Sequence, residues 1–180
     1  MYPVIRRATK ADVSSLAELA AASSKAAHWT NETYDSYCSA GLGRNGVQKV
    51  IFVACIPTTA STQLGNYFVV GFAVFTAIDT AGDCELENMV VAESSRRQGI
   101  GARLLNAGLL WCRTWCPSAA APPQAEIGAD SAGVRLEVRA SNHAAIEFYK
   151  QAGFAVVGRR AAYYSQPEED AILMRKPMGH

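Results

Sequence analysis

The sequence predicts a mixed α/β (α+β) domain of about seven strands and about four helices. Three observations lead there. Seven short runs are rich in β-branched and aromatic residues, four stretches repeat apolar residues at helical spacing, and the 180 residues suffice for one full core but not for two. The whole chain, residues 1–180, is therefore expected to be a single domain.

Taken in order, "PVIRRATKADVSSLAELAAAS" reads as a strand followed by a helix, with Thr9 as N-cap and Asp12 three residues on, where an acid suits the first turn. A second helix follows at "TNETYDSYCSAG", capped by Thr30 and ending near Gly41 or Gly43. Three strand-like runs, "KVIFVACIP", "NYFVVGFAVFTAID" and "DCELENMVV", come next with short connections, which suits an antiparallel meander. Leu104, Leu105, Gly108, Leu109, Trp111, Cys112 and Trp115 recur at helical spacing and predict a helix from about 99 to 115. "CPSAAAPPQAEIGADSAG" reads as a surface loop. "VRLEVRA" alternates as a strand, "SNHAAIEFYKQAGF" as a helix opened by Ser141 or Asn142 and closed by Gly153, and "AVVGRRAAYYS" with "EDAILMRKP" as a final hairpin.

Composition narrows the function. Hydrophobic residues at 49% and charged residues at 18% are those of an ordinary globular chain. Seventeen basic against 16 acidic residues leave a net charge of +1, which excludes nucleic acid as the main partner. The apolar stretches are too short to cross a bilayer as a helix and the N-terminus has no apolar signal core, so the expectation is a cytoplasmic protein without a membrane partner. Cys38, Cys55, Cys84, Cys112 and Cys116 are odd in number and sit in apolar segments, as buried small hydrophobes do. Cys112 and Cys116 share a helix face, but no further Cys or His completes a tetrahedral set, and no metal is expected. His28, His143 and His180 form no constellation with a nucleophile.

The informative stretch is "SSRRQGIGARLL". Glycines between a strand and a helix N-terminus expose backbone N–H groups that lack intrahelical acceptors, at the positive end of the helix dipole, and such a place binds phosphate. An isolated G-x-G reads equally well as a tight turn. A dinucleotide fingerprint would need Gly or Ala where Leu104 stands, and a P-loop would need Lys-Ser or Lys-Thr after a glycine. The pattern that fits is Arg/Gln-x-x-Gly-x-Gly/Ala, supplied by Arg96, Arg97, Gln98, Gly99, Ile100 and Gly101. This resembles the pyrophosphate loop of the GNAT acyltransferase superfamily. "LEVRASNHAAIEFYKQAGF", "RRAAYYS", "EDAILM" and "HWTNETY" extend the likeness to its RimI-like branch, the ribosomal-protein-alanine N-acetyltransferases.

The resemblance implies a GNAT fold, with a central mixed twisted sheet splayed where acetyl-CoA enters, and acetyl-CoA as donor with no metal. It places the coenzyme on the loop from Arg96 to Ala102, on the main chain of Met89, Val90 and Val91, and on Asn142. It makes Glu137 the general base and Tyr149 the acid that returns a proton to the coenzyme sulfur. Trp29, Tyr163 and Tyr164 would border a peptide groove. Each residue also has a plain structural reading. Arg135, Glu137 and Arg139 share one strand face as a solvated charge ladder would, Ile146 and Tyr149 share a core-facing helix stripe, and Asn142 serves as a cap. Met89, Val90 and Val91 read as core, and the three aromatic residues as packing. Glu85 and Glu87, on the strand where other GNAT branches carry the base, stay open as alternatives.

The expected reaction is transfer of an acetyl group to the α-amine of a protein N-terminus, with a small-subunit ribosomal protein bearing N-terminal alanine as the implied acceptor and another amine as the rival. An α-amine has a reference pKa of about 7.7–8.0 against about 10.4 for lysine, which favours its deprotonation by roughly 3 kcal/mol. Two departures from the branch stand out: the enlarged loop at 117–133, which puts substrate access in question, and "VVAESS", which lacks the usual Asp-Pro.

Overall fold

The computed structural model describes residues 3–39, 46–57, 67–78, 83–115 and 133–178. Within them the predicted elements form in the predicted order. β1 (Val4–Arg7) leads into a 3-10 turn at Lys10–Asp12, then α1 (Val13–Ala21) and α2 (Asn31–Ser39). β2 (Val47–Pro57), β3 (Tyr67–Ile78) and β4 (Asp83–Val91) build the meander, followed by α3 (Ile100–Trp115), β5 (Gly133–Arg139), α4 (His143–Gln151), β6 (Ala155–Ser165) and β7 (Glu168–Pro177). One seven-stranded sheet runs in the order β1-β2-β3-β4-β5-β7-β6, antiparallel except where β4 meets β5. The final hairpin forms as expected, but its second strand slots between β5 and β6.

The mixed junction is the place where the sheet opens. β4 and β5 pair over three residues only, Cys84 with Val134, Glu85 with Arg135 and Leu86 with Leu136, and then part, although β4 continues to Val91 and β5 to Arg139. Asp83 holds the closed end: its carboxylate accepts from the buried Arg175 guanidinium at 2.5 Å and from the Gly133 amide at 3.3 Å. At the other end the β3–β4 register slips between Val74–Asn88 and Phe75–Leu86, so Glu87 is an extra residue. Such a bulge bends and twists its strand, turning β4 away from β5.

Helices cover the sheet from both sides. Leu16, Tyr34 and Tyr37 of α1 and α2 pack with Ile51, Val53, Phe72 and Val90 on one face, while α3 and α4 pack with Phe75, Leu136 and Val138 on the other. Alternation along β5 therefore buries Val134, Leu136 and Val138 under α3 and α4 and leaves Arg135, Glu137 and Arg139 on the opposite face. Cys55, Cys84 and Cys112 are buried and Cys38 half-buried, all as free thiols, in line with their reading as small hydrophobes; Cys116, Gly41, Gly43, His180 and loop residues 117–132 lie outside the described residues.

Gly108, which the periodicity placed on the buried stripe of α3, is there because nothing larger fits. A Cβ at that position would stand 1.9 Å from the ring of the fully buried Phe75. Gly108→Ala is expected to lower stability by about 1–3 kcal/mol despite alanine's better helix propensity, since the overpacked ring has nowhere to move. A thermal melt should show a drop of several degrees, at about 2–4 °C per kcal/mol for a chain of this size.

The start of α1 supplies a pH-dependent contribution. Burial pushes the Asp12 carboxyl up, but bonds from Arg6 (2.8 Å to each oxygen), the Thr9 amide and the Thr9 hydroxyl outweigh it and hold the group below its ordinary value. A depressed carboxylate adds stability above its unfolded pKa of about 3.9 and loses it as pH falls through the folded value. The melting temperature of the protein should therefore fall more steeply between pH 5 and pH 3 than that of Asp12→Asn, as about one carboxylate's share of the acid sensitivity is removed.

Candidate active site

Where β4 and β5 part, a cavity of about 340 Å³ opens. Its walls come from Glu87, Asn88 and Met89 of β4, from Glu137 of β5, from Tyr149 of α4 and from Tyr164 of β6. The turn between α1 and α2, at Lys25–Ala27, closes one side, and Asn88 pins that turn by donating its amide to the Ala27 carbonyl at 2.9 Å. Residues far apart in the chain, including both predicted catalytic residues, thus meet in one place.

The three strand carboxylates have distinct surroundings. Glu85 is bound to Arg135 at 3.2 Å and is not among the residues lining the splay cavity. Glu87 accepts from Tyr37 at 2.5 Å and from Thr76, with Lys49 at 3.9 Å, so both of its oxygens are engaged. Tyr37 is raised by burial and then by that bond, which keeps its hydroxyl protonated and donating. Glu137 reaches the cavity from β5 and pairs with Arg160 at 2.6 Å. Arg139 turns instead to Glu169 at 3.2 Å and stacks its guanidinium on the Tyr164 ring. The row Arg135, Glu137, Arg139 is therefore no self-contained ladder, since its members pair with residues of β4, β6 and β7 respectively.

Tyr149 is buried, with its ring edge-on to Phe148 (5.2 Å) and Phe154 (5.7 Å). Burial, and then the nearby Tyr164, push its hydroxyl well above the ordinary tyrosine range. It remains a proton donor throughout the neutral region, so core packing and a position on the cavity wall coexist in one side chain. Asn142 occupies the N-cap of α4, but its side chain makes no capping bond; its carbonyl accepts from the Ala145 and Ile146 amides while the residue lines the cavity.

Beside the cavity lies the glycine loop. A 3-10 turn at Glu93–Ser95 ends β4, Arg96 donates to the Val91 carbonyl at 3.2 Å, and positive φ at Arg97 (60°) and Gly99 (73°) curls the backbone into α3. The Arg103 amide makes the first helical bond, to the Gly99 carbonyl, so the Ile100, Gly101 and Ala102 amides have no acceptor within the helix. A Cβ at Gly101 would touch Phe148 at 3.7 Å and Val91 at 3.9 Å, which brings the loop against the end of β4 and the helix bearing Tyr149. These are ordinary contacts, so Gly101→Ala should be accepted. Gly99→Ala forces a side chain into left-handed backbone at a cost of about 1–2 kcal/mol. Thermal melts should show a drop of a few degrees for Gly99→Ala and little change for Gly101→Ala.

Past Leu86, the edge of β4 that faces β5 has no strand partner among the described residues, although the Val91 carbonyl accepts from Arg96. The Ala92 amide bonds to the Val70 carbonyl, and by antiparallel alternation the polar groups of Val90 also point to β3 while those of Met89 and Val91 point away from it. Of the three predicted main-chain contacts, this favours Met89 and Val91. Tyr163 and Tyr164 divide between two sites, Tyr164 lining the splay cavity and Tyr163 an adjoining groove. Trp29 stacks on Tyr37 (5.4 Å) and packs against Tyr34 (5.5 Å), beside the cavity wall and not among its lining residues. Sequence reasoning missed Asn88 and Tyr37. Two consecutive polar residues in "LENMV" break the alternation of β4 and signal the bulge; nothing in the sequence ties Tyr37 to Glu87 across 50 residues.

An acetyltransferase (GNAT) domain model matches residues 63–156, more than half of the chain. The protein belongs to the GNAT acetyltransferase family. Its fold is that of the crystal structure of the ribosomal-protein-S18-alanine N-acetyltransferase from Escherichia coli (TM-score 0.67, 24% identity, covering 99% of this chain and 95% of that one). Arabidopsis thaliana NAA60 in complex with acetyl-CoA is similarly close (TM-score 0.70, 18% identity, 96% of each chain). Among curated relatives, a Bacillus subtilis protein named for ribosomal protein bS18-alanine N-acetylation is 29% identical over 92 residues, 51% of this chain and 52% of its own. The chain spans from about a quarter to about half of the length of the curated relatives it matches. No helix among the described residues of this GNAT protein is long and apolar enough to cross a membrane, and no group of three or more metal-ligating side chains occurs among them.

Proposed function

We propose that this GNAT protein transfers the acetyl group of acetyl-CoA to the α-amine of a protein N-terminus, the N-terminal alanine of a small-subunit ribosomal protein being the first acceptor to try. The observation that carries this reading is the cavity at the β4–β5 parting, which brings together Glu137, Tyr149 and the end of β4 next to the glycine loop.

In the proposed reaction the loop amides of Ile100, Gly101 and Ala102 hold the coenzyme pyrophosphate, and the main-chain edge of Met89 and Val91 receives the pantetheine arm and polarises the thioester carbonyl. Asn142, free of a capping bond, supplies a further polar contact. Glu137 takes a proton from the incoming ammonium. The amine nitrogen then bonds to the acetyl carbon and the carbon–sulfur bond breaks; the Tyr149 hydroxyl gives its proton to the departing thiolate, and the second proton of the amine nitrogen returns to the Tyr149 phenolate as the neutral amide forms. Glu87 is an unsuitable base, because taking a proton would cost it accepted bonds. An α-amine gives up its proton more readily than a lysine, so this acceptor asks less of the base. The names of the Escherichia coli and Bacillus subtilis proteins support the choice of acceptor.

The test is release of free coenzyme thiol from acetyl-CoA, with and without a hexapeptide carrying a ribosomal-protein N-terminus that begins with alanine. Turnover that needs the peptide and stops when its α-amine is blocked supports the proposal. Turnover with small amines but not with the peptide overturns the acceptor.

A further inference from the structure

Glu137 stands at the junction of two spaces. One is the splay cavity; the other is a groove of about 370 Å³ bordered by Glu85, Arg135, Arg160 and Tyr163. On the same sheet face Arg135 is committed to Glu85 and Asp83, and Arg139 to Glu169, so the cation left for Glu137 comes from two strands away. Arg160 reaches it across β7. On β7, Ala171 is the register partner of both Arg139 and Arg160, and Leu173 that of Glu137.

The sheet is distorted at the place that makes this reach possible. The β6–β7 register slips between Arg160 and Tyr164, Ala162 takes a φ of 48°, and the Asp170 carboxylate fixes the excursion by accepting from the Ala162 amide at 2.8 Å and from Arg159. The bulge turns Tyr163 back over Arg160, whose guanidinium lies 4.6 Å from the ring centre, and the nearby Glu137 carboxylate, with burial, raises the Tyr163 hydroxyl above its ordinary range. A left-handed alanine carries a strain that the surrounding contacts must offset.

We propose that Arg160 and Tyr163 are positioning residues that clamp the Glu137 carboxylate from the bulge of β6, holding it where the groove opens into the splay cavity. This rests on the proposed role of Glu137 as base. Without the clamp the flexible glutamate samples rotamers directed away from the incoming amine, and misplacement of a reacting group by about 1 Å can cost on the order of 100-fold in rate. The clamp acts on the acetyl-transfer step and not on donor binding, since neither Arg160 nor Tyr163 belongs to the glycine loop or to β4.

The experiment is a double-mutant cycle read in kcat and in KM for acetyl-CoA. Arg160 is exposed at the sheet surface, so Arg160→Met should fold, which a melting curve verifies. We expect its kcat to fall by about 10- to 100-fold with KM for acetyl-CoA unchanged. Arg160→Lys should recover part of the loss, and Tyr163→Phe should show a smaller one. In the Glu137→Gln background, Arg160→Met should cost nothing further, because a residue acting through Glu137 has nothing left to position. An undiminished kcat in Arg160→Met beside a severely impaired Glu137→Gln would overturn the clamp alone, as would a full additional loss in the double variant. A Glu137→Gln variant with full kcat would remove the functional reading itself and the clamp with it.

Discussion

Glu137→Gln is expected to lower kcat by about 10²- to 10⁴-fold, the range ordinarily lost with a general base, while leaving coenzyme affinity within about twofold of the unmodified protein. The substitution keeps side-chain volume and one acceptor oxygen for Arg160, so packing is preserved and only the proton-accepting capacity goes. Steady-state thiol release with the peptide acceptor, beside coenzyme titration, separates the two quantities. Full activity would shift attention to Glu87, the other carboxylate on the cavity wall. That would require Glu87 to give up its bonds from Tyr37 and Thr76.

Tyr149→Phe is the second large effect. The ring sits between Phe148 and Phe154 and is retained by phenylalanine, so the melting temperature should change little, while loss of the hydroxyl should reduce kcat by about 10²-fold or more. Because burial raises the Tyr149 hydroxyl, the acid is fully protonated at pH 7 and stays so well into the alkaline range. The rate of the unmodified protein should therefore show no alkaline decline from this group below about pH 10. An acetyl donor with a more acidic leaving thiol offers a check: transfer from a donor whose thiolate needs no protonation should be affected far less by Tyr149→Phe.

The secondary structure was legible because its signals are local. Thr9 and Asp12, Thr30, the periodicity of α3 and the left-handed Gly153 all act within a few residues, and each marks the element it was expected to mark. The glycine loop was legible for the same reason. Glu137 and Tyr149 were legible only through the family pattern, since by composition one belonged to a charge row and the other to a core stripe. What the structure adds is their partners: Arg135 and Arg139 find acids on β4 and β7, Glu137 finds Arg160 on β6, and Tyr149 packs its ring while lining the cavity.

By itself the sequence determined the elements, their order and the glycine-bearing turn that opens α3. Only the tertiary structure decided that β7 inserts between β5 and β6, that β4 and β5 part after Leu86 and Leu136, and that Glu87 is locked by Tyr37 while Glu137 is reached by Arg160. The physical reason is range. Capping, helical periodicity and turn conformation are fixed by neighbours along the chain, whereas strand order, a bulge and the partner of a carboxylate are settled by contacts between residues that are 20 to 50 positions apart.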